Sequence, residues 1–265
     1  NPGRTLVDYL LCKMAFIRHA IGFTNFQKSS LYPENAAGKP LAVKHESLYL
    51  LDRLADSGII SSKDYAEPVF DIELTEQELT ASLDWLNGHR KYRDKILVAI
   101  APGCNQPANQ WDIENFCELG ARLIKDYPVE LVIVGGGDDD MSAAQYLLNT
   151  WGAGIDATHG FSPRQSAAII SHCQLFIGLD SGPLHLAFAA GTPTVSLFSD
   201  RDNPGRWHPL GEKHKVIRKS VACGGCRKSI CPVPGHHCMT DIHVTEVLDV
   251  AANHINTLVN QGVPL

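Results

Sequence analysis

The stretch Gly178-Leu179-Asp180-Ser181-Gly182-Pro183-Leu184-His185-Leu186-Ala187 decides how the chain is read. A short apolar run, Leu175 to Gly178, reads as a buried strand. Asp180 and Ser181 follow it, Gly182 permits a tight turn, and Pro183 suits the first turn of a helix. Unpaired N–H groups at such a helix start, aided by the helix dipole, attract anions. Ser181 and Gly182 would offer hydroxyl and amide donors, and His185 lies one turn further on. From spacing alone, Asp180 and Ser181 cap a helix as readily as they hold an anion. His185 by itself reads as a satisfied core histidine.

Outward from this stretch the pattern repeats. Ile96–Ile100, Glu130–Val134, Ile155–Thr158 and Thr194–Phe198 read as further strands. Helical spacing separates them: Ile113 to Ile124, Ser142 to Leu148, Ser162 to Ile170 and Pro183 to Ala190. Strands alternating with helices in this way predict right-handed βαβ units and a parallel sheet, with ligands beyond the C-terminal strand ends. Two other strand ends carry candidate chemistry. One is Ala101-Pro102-Gly103-Cys104-Asn105, followed by Asn109-Gln110-Trp111. The other is Gly135-Gly136-Gly137-Asp138-Asp139-Asp140, where a carboxylate binds a ribose or base, or is simply a solvated turn.

Before residue 95 the texture differs. Leu6–Ile17 and Ser47–Ile60 read as helices, residues 31–45 as loop, and Thr75-Glu76-Gln77-Glu78 as a capping box opening another helix. The charged run Lys91–Lys95 reads as an interdomain linker. The expected division is therefore a partial N-terminal domain and linker, 1–94, and a complete Rossmann-like domain, 95–265.

Composition limits the partners. The chain has 265 residues, 23 Lys and Arg against 29 Asp and Glu, and a formal charge of −6, which gives no general support for nucleic acid. No apolar run reaches the length of a membrane span. The opening Asn1-Pro2-Gly3-Arg4 is not a secretory leader and lacks an initiator Met, so a trimmed chain in a cytoplasmic setting is expected.

Cysteine usage is uneven. Of eight cysteines, Cys12, Cys104, Cys117 and Cys173 are scattered and read as structural. Cys223, Cys226, Cys231 and Cys238 form C-x2-C-x4-C-x6-C. Gly224-Gly225 makes the first pair a good hook for a tetrahedral ion, a structural zinc or iron, with His236 and His237 as spare ligands. Reduced thiols and two disulfides are the alternatives, the latter disfavoured in a reducing compartment. Four protein ligands would leave no open position for catalysis.

Asp180-Ser181-Gly182-Pro183-Leu184-His185-Leu186, Gly191-Thr192-Pro193 and Trp207-His208-Pro209-Leu210-Gly211 together resemble the signature of glycosyltransferase family 9, the family of the ADP-heptose lipopolysaccharide heptosyltransferases. The resemblance is clear over roughly 95–265 and weaker before. It implies a GT-B fold with two Rossmann-like domains and an inverting transfer of heptose from ADP-heptose to an inner-core glycan or glycolipid, at the cytoplasmic face of the inner membrane. The transfer itself needs no metal.

By resemblance, Asp180, Ser181, Gly182 and His185 hold the donor diphosphate. Gly103, Asn105, Asn109, Gly136, Asp138 and Gly160 complete the donor site. Where the family carries Lys-Arg-Trp, this chain has Asn109-Gln110-Trp111. An amide brings no charge, and the missing charge-assisted contact should cost about 1.5–3 kcal/mol of phosphate binding unless Arg164 or Arg201 substitutes. Arg18-His19-Ala20-Ile21-Gly22-Phe23 resembles a segment late in the acceptor domain. The catalytic base is therefore expected upstream of this chain, and none is assigned. The alternatives are a transferase for another nucleotide sugar and a binding module without turnover.

Overall fold

The computed structural model describes residues 44–61, 68 and 70–261. The expected helix at 6–17 and the segment 18–23 lie outside the described residues. The chain divides into two compact units, Asn1–Val69 with Asn203–His208, and Phe70–Asp202 with Pro209–Leu265. In the first, α1 (Glu46–Asp56) is capped by His45, whose ring nitrogen accepts from the Ser47 amide at 3.2 Å. Its start is tied to the returning strand of chain: the Glu46 amide donates to the Arg206 carbonyl at 2.8 Å, and Arg206 Nε donates to the Glu46 carboxylate at 2.8 Å.

The second unit runs α2 (Glu76–His89), β1 (Ile96–Ala101), a 3-10 turn (Pro107–Asn109), α3 (Ile113–Asp126), β2 (Val129–Val134), α4 (Asp138–Trp151), β3 (Ile155–Ala157), α5 (Pro163–Ser171), β4 (Leu175–Leu179), α6 (Gly182–Ala189), β5 (Thr194–Phe198), β6 (Lys215–Arg218), α7 (His237–Thr240) and α8 (Val244–Asn260). Its six strands are all parallel, in the order β3-β2-β1-β4-β5-β6. Every residue of β1, β2, β4 and β5 is buried, as expected of strands covered by helices on both faces. The chain leaves β1 in one direction for β2 and β3, then returns to its other side for β4. The order reverses between β1 and β4, where Ala101 pairs with Gly178, and the loops that leave these strands bound the crevice where such sheets bind ligands.

Local signals explain the helices. The expected capping box forms, with Thr75 and Glu78 opening α2, and a second, Ser162 with Gln165, opens α5 with Pro163 in the first turn. The core continues into α3 and α8 through Phe116, Leu119, Leu123, Val247, Leu248, Ala251 and Ile255. Trp111 is 1% exposed. Its indole N–H finds the Ile242 carbonyl at 2.9 Å, and its ring meets Phe116 edge-on.

One boundary moves. The run Lys91–Lys95, expected as a linker, lies within the second unit because the carboxylate of Glu130 on β2 gathers it. That carboxylate accepts from the Lys91 amide at 2.9 Å, while Arg90 reaches the Lys95 carbonyl at 2.6 Å. The α1 helix stops at Asp56, short of the expected Ile60. In helix α6, Leu184 and Ala187 are buried, and Phe188 is half-buried against Phe70 and His214.

Candidate functional site

The ends of β1, β2 and β4 open into one cleft of about 580 Å³. From β1 come Pro102–Gln106 and Gln110, from β2 Gly136–Asp140, and from β4 Asp180, Ser181, Gly182 and Pro183. Of the residues expected from sequence, Gly103, Asn105, Gly136, Asp138, Asp180, Ser181 and Gly182 line it. His185, Asn109 and Gly160 do not.

The turn after β4 presents a bare helix start. Ser181 is the N-cap of α6, yet no side chain caps the first turn. The Ser181 hydroxyl bonds back to the Leu179 carbonyl at 3.4 Å instead. The positive end of the α6 dipole is thus left for a ligand. His185 Nε2 stands 3.7 Å from Asp180 Oδ1, with its side chain 41% exposed. It borders the site through Asp180 and does not line the cleft.

Asn109 is placed differently from the expectation. It is 2% exposed, and both ends of its amide are engaged. Nδ2 donates to the Asp180 carbonyl at 3.4 Å and to Asp180 Oδ2 at 3.3 Å, while Oδ1 accepts from the Ser199 hydroxyl at 2.6 Å. Gln110 braces the β1 loop, donating to the Pro102 carbonyl at 2.8 Å and the Trp111 carbonyl at 3.0 Å, and accepting from the Cys104 thiol at 3.4 Å. Both residues that stand in for cations are therefore occupied by the protein itself.

The β2 loop contributes a residue that sequence reading passed over. Asp138 is exposed, whereas Asp140 is half-buried and accepts from the Gly136 amide at 2.7 Å. Burial raises its carboxyl above the usual range, the Gly136 bond opposes this, and Asp139 adds to it. Two glycines make room for it: a Cβ on Gly103 would fall 1.7 Å from Asp140 Oδ1, and one on Gly135 2.7 Å from its Cγ. Cys104 also faces the cleft, and burial pushes its thiol up to about 11.

Charge in the cleft is one-sided. Asp138, Asp139, Asp140 and Asp180 line it, and none of the described lining residues is Lys or Arg. The two suggested substitutes are committed elsewhere. Arg164 donates to the Glu78 carboxylate at 2.6 and 2.8 Å and to the Ile72 and Glu73 carbonyls, fixing α5 to α2. The guanidinium, followed by Thr75, holds the Glu78 carboxyl down at about 2. Arg201 Nε donates to the Lys228 carbonyl at 2.8 Å. Gly160 is exposed at φ +81° before α5.

Cys223, Cys226, Cys231 and Cys238 face one small void with His236, Asp200 and Arg201. All four are free thiols, so the disulfide alternative is not formed here. Among the described residues no group of three His, Cys, Asp or Glu side chains is placed to hold a metal ion. The knuckle is tied to the turn that carries Asn109. The Ala108 amide donates to the Ser229 carbonyl at 2.9 Å, and His236 Nε2 lies 3.1 Å from the Ala108 carbonyl, to which it can only donate.

Comparison with known proteins agrees with this architecture. Glycosyltransferase family 9 (heptosyltransferase) matches residues 10–237. Lipopolysaccharide heptosyltransferase 2 of Escherichia coli K12 is 26% identical over 204 residues, covering 73% of this chain and 57% of that protein. Lipooligosaccharide heptosyltransferase 2 of Campylobacter jejuni is 24% identical over 162 residues, covering 60% of this chain and 51% of that protein. The chain spans about half the length of the curated relatives it matches. Among solved structures, the family 9 glycosyl transferase of Veillonella parvula superposes with a TM-score of 0.67 at 21% identity, covering 81% of this chain and 61% of that one. Escherichia coli ADP-heptose heptosyltransferase II gives 0.61 at 21%, covering 85% and 65%. At these identities the likeness establishes the fold.

Proposed function

This chain belongs to glycosyltransferase family 9, and from that premise we propose that its cleft binds the diphosphate of a nucleotide sugar, ADP-heptose first, for inverting transfer of heptose to a cell-envelope glycan or glycolipid. The observation that carries this reading is the uncapped start of α6, which opens into the cleft at the β1/β4 reversal. An acceptor hydroxyl, losing its proton to a base, attacks the anomeric carbon, and the nucleoside diphosphate departs with growing negative charge. A preorganised helix terminus stabilises that charge as it develops. His185, standing against Asp180, is assigned to the same phosphates. No residue described here is assigned as the base. The proposed setting is the cytoplasmic face of the inner membrane.

A second reading, transfer from another nucleotide sugar, is favoured by the absence of Lys and Arg among the described cleft residues. Calorimetric titration with ADP-heptose, ADP, and UDP and GDP sugars separates the two. A preference for ADP-heptose supports the first reading, and a preference for UDP or GDP sugars the second. Binding without transfer in the presence of acceptor supports a module without turnover. His185→Ala should weaken ADP binding while leaving the thermal transition in place. Unchanged affinity would remove His185 from the site.

The cysteine spacing supports a structural zinc or iron at Cys223, Cys226, Cys231 and Cys238, behind the cleft and outside the transfer chemistry. The sulfurs share a void without forming a holding site in this structure. Elemental analysis tests the metal, and less than stoichiometric zinc or iron removes it.

A further inference from the structure

We propose that Asn109 is a positioning residue of the donor cleft: it fixes the Asp180 carboxylate, and through it the first turn of α6, without touching the nucleotide. The inference rests on the reading of the cleft as a diphosphate site. The family resemblance puts a phosphate-facing Lys at this position, but the geometry gives the residue another task. Asn109 is 2% exposed and absent from the cleft lining. It joins three strand-end loops that are remote in sequence. Its own turn follows β1, Asp180 follows β4, and Ser199 follows β5.

Each bond has a direction. Ser199 can satisfy Asn109 Oδ1 only by donating, which leaves Nδ2 to face Asp180. Nδ2 then takes Asp180 Oδ2 and the Asp180 carbonyl together. The other carboxylate oxygen, Oδ1, is left toward His185. The amide therefore sets both the rotation of the Asp180 side chain and the path of the backbone entering α6. It is itself held in place, because Ala108 is clamped at its N–H by Ser229 and at its carbonyl by His236. An amide accepts from Ser199 at its oxygen and offers two N–H donors to the Asp180 carboxylate and carbonyl, staying uncharged in a buried site.

The test is a double-mutant cycle on the whole chain with two readouts: hydrogen–deuterium exchange without nucleotide, and ADP affinity by calorimetry. Asn109→Leu keeps the branched shape of the side chain and removes all three bonds. It should speed exchange over residues 179–186 while leaving 244–260 unchanged, and weaken ADP about tenfold, as expected when a partly buried carboxylate loses its partner. In an Asp180→Ala background, where only the residue 180 carbonyl is left for Nδ2, the same substitution should cost clearly less affinity than in the unsubstituted chain, because the carboxylate it acts on has gone. Ser199→Ala, which frees Oδ1 alone, should give a smaller effect confined to the same segment, and it serves if Asn109→Leu does not fold. Three outcomes overturn the proposal: faster exchange spread evenly over the sheet, losses that add across the two sites, or weaker ADP binding with exchange unchanged. The last would mean that Asn109 contacts the nucleotide directly. If the unsubstituted chain binds no ADP, the diphosphate reading falls, and the exchange data still decide whether Asn109 positions Asp180.

Discussion

Gly103 and Asp140 should prove to be one structural unit. Alanine at 103 would place a methyl 1.7 Å from Asp140 Oδ1 and 2.9 Å from its Cγ. No arrangement keeps both groups where they are, and the backbone of β1 is held by β2 and β4 on either side. The carboxylate must therefore swing away, releasing the Gly136 amide that it now holds at 2.7 Å. A charge-assisted bond of this kind is worth about 1.5–3 kcal/mol. Moving the carboxylate into water returns part of that, since burial raises its pKa and so disfavours the charged form. The net cost of Gly103→Ala should be about 1–2 kcal/mol. At about 2–4 °C per kcal/mol for a domain of this size, the thermal midpoint should fall by about 2–8 °C.

The cycle is decisive. Asp140→Ala removes the obstacle, so Gly103→Ala made in that background should cost less than about 0.5 kcal/mol, and thermal unfolding of the four proteins measures it. Independent sites normally add within about 0.3–0.5 kcal/mol. Additive losses would show that Asp140 does not occupy the space over Gly103, and would take the described shape of the cleft floor with them.

Two further outcomes follow from pKa shifts. Burial, and secondarily the charge of Lys213, pushes the His214 imidazole from 6.5 down to about 4. The unfolded chain then takes up a proton that the folded state refuses, so this stability is present above pH 6.5 and drains as pH falls toward 4, by about 3.5 kcal/mol at about 1.4 kcal/mol per pH unit. His214→Gln, which keeps a hydrogen-bonding partner for the Thr194 hydroxyl that lies 3.1 Å from Nδ1, should flatten that part of the curve in urea unfolding at pH 7, 5.5 and 4.5; an unchanged slope counts against the burial argument. Cys104, with its thiol held at about 11, should alkylate far more slowly at pH 8 than exposed Cys223, accelerate as pH approaches 11, and be shielded by ADP. Peptide mapping reads all three, and rapid labelling at pH 8 would contradict the environment described.

What could be read in advance depended on how far each signal reaches along the chain. Strands β1, β2, β4 and β5 are buried on both faces, so they appear as largely apolar runs, broken by Glu130, Thr194 and Ser196, and the ends of β1, β2 and β4 mark the cleft. The four residues of β6, Lys215–Arg218, have one buried member and give no such signal. Asp140 was within reach. Gly137 is the N-cap of α4, which makes Asp140 the third helical residue, where an acidic side chain turns back to the amides before the helix. Choosing among three consecutive aspartates needed only the right helix start.

Asn109 was not legible in the same way. Its role is fixed by Asp180 and Ser199, 71 and 90 residues further on, and nothing local announces that three loops converge on one amide. The same distance hides the electrostatics of the site. A formal charge of −6 over the whole chain does not reveal that four carboxylates line one cleft while Arg164 and Arg201 are held by other partners. Under the proposed reading, an anion entering there meets the start of α6 and no Lys or Arg among the described lining residues. Dipoles attract only when they are aimed, so on that reading the bonds of Asn109 to Asp180 bear directly on how well the helix start receives a phosphate.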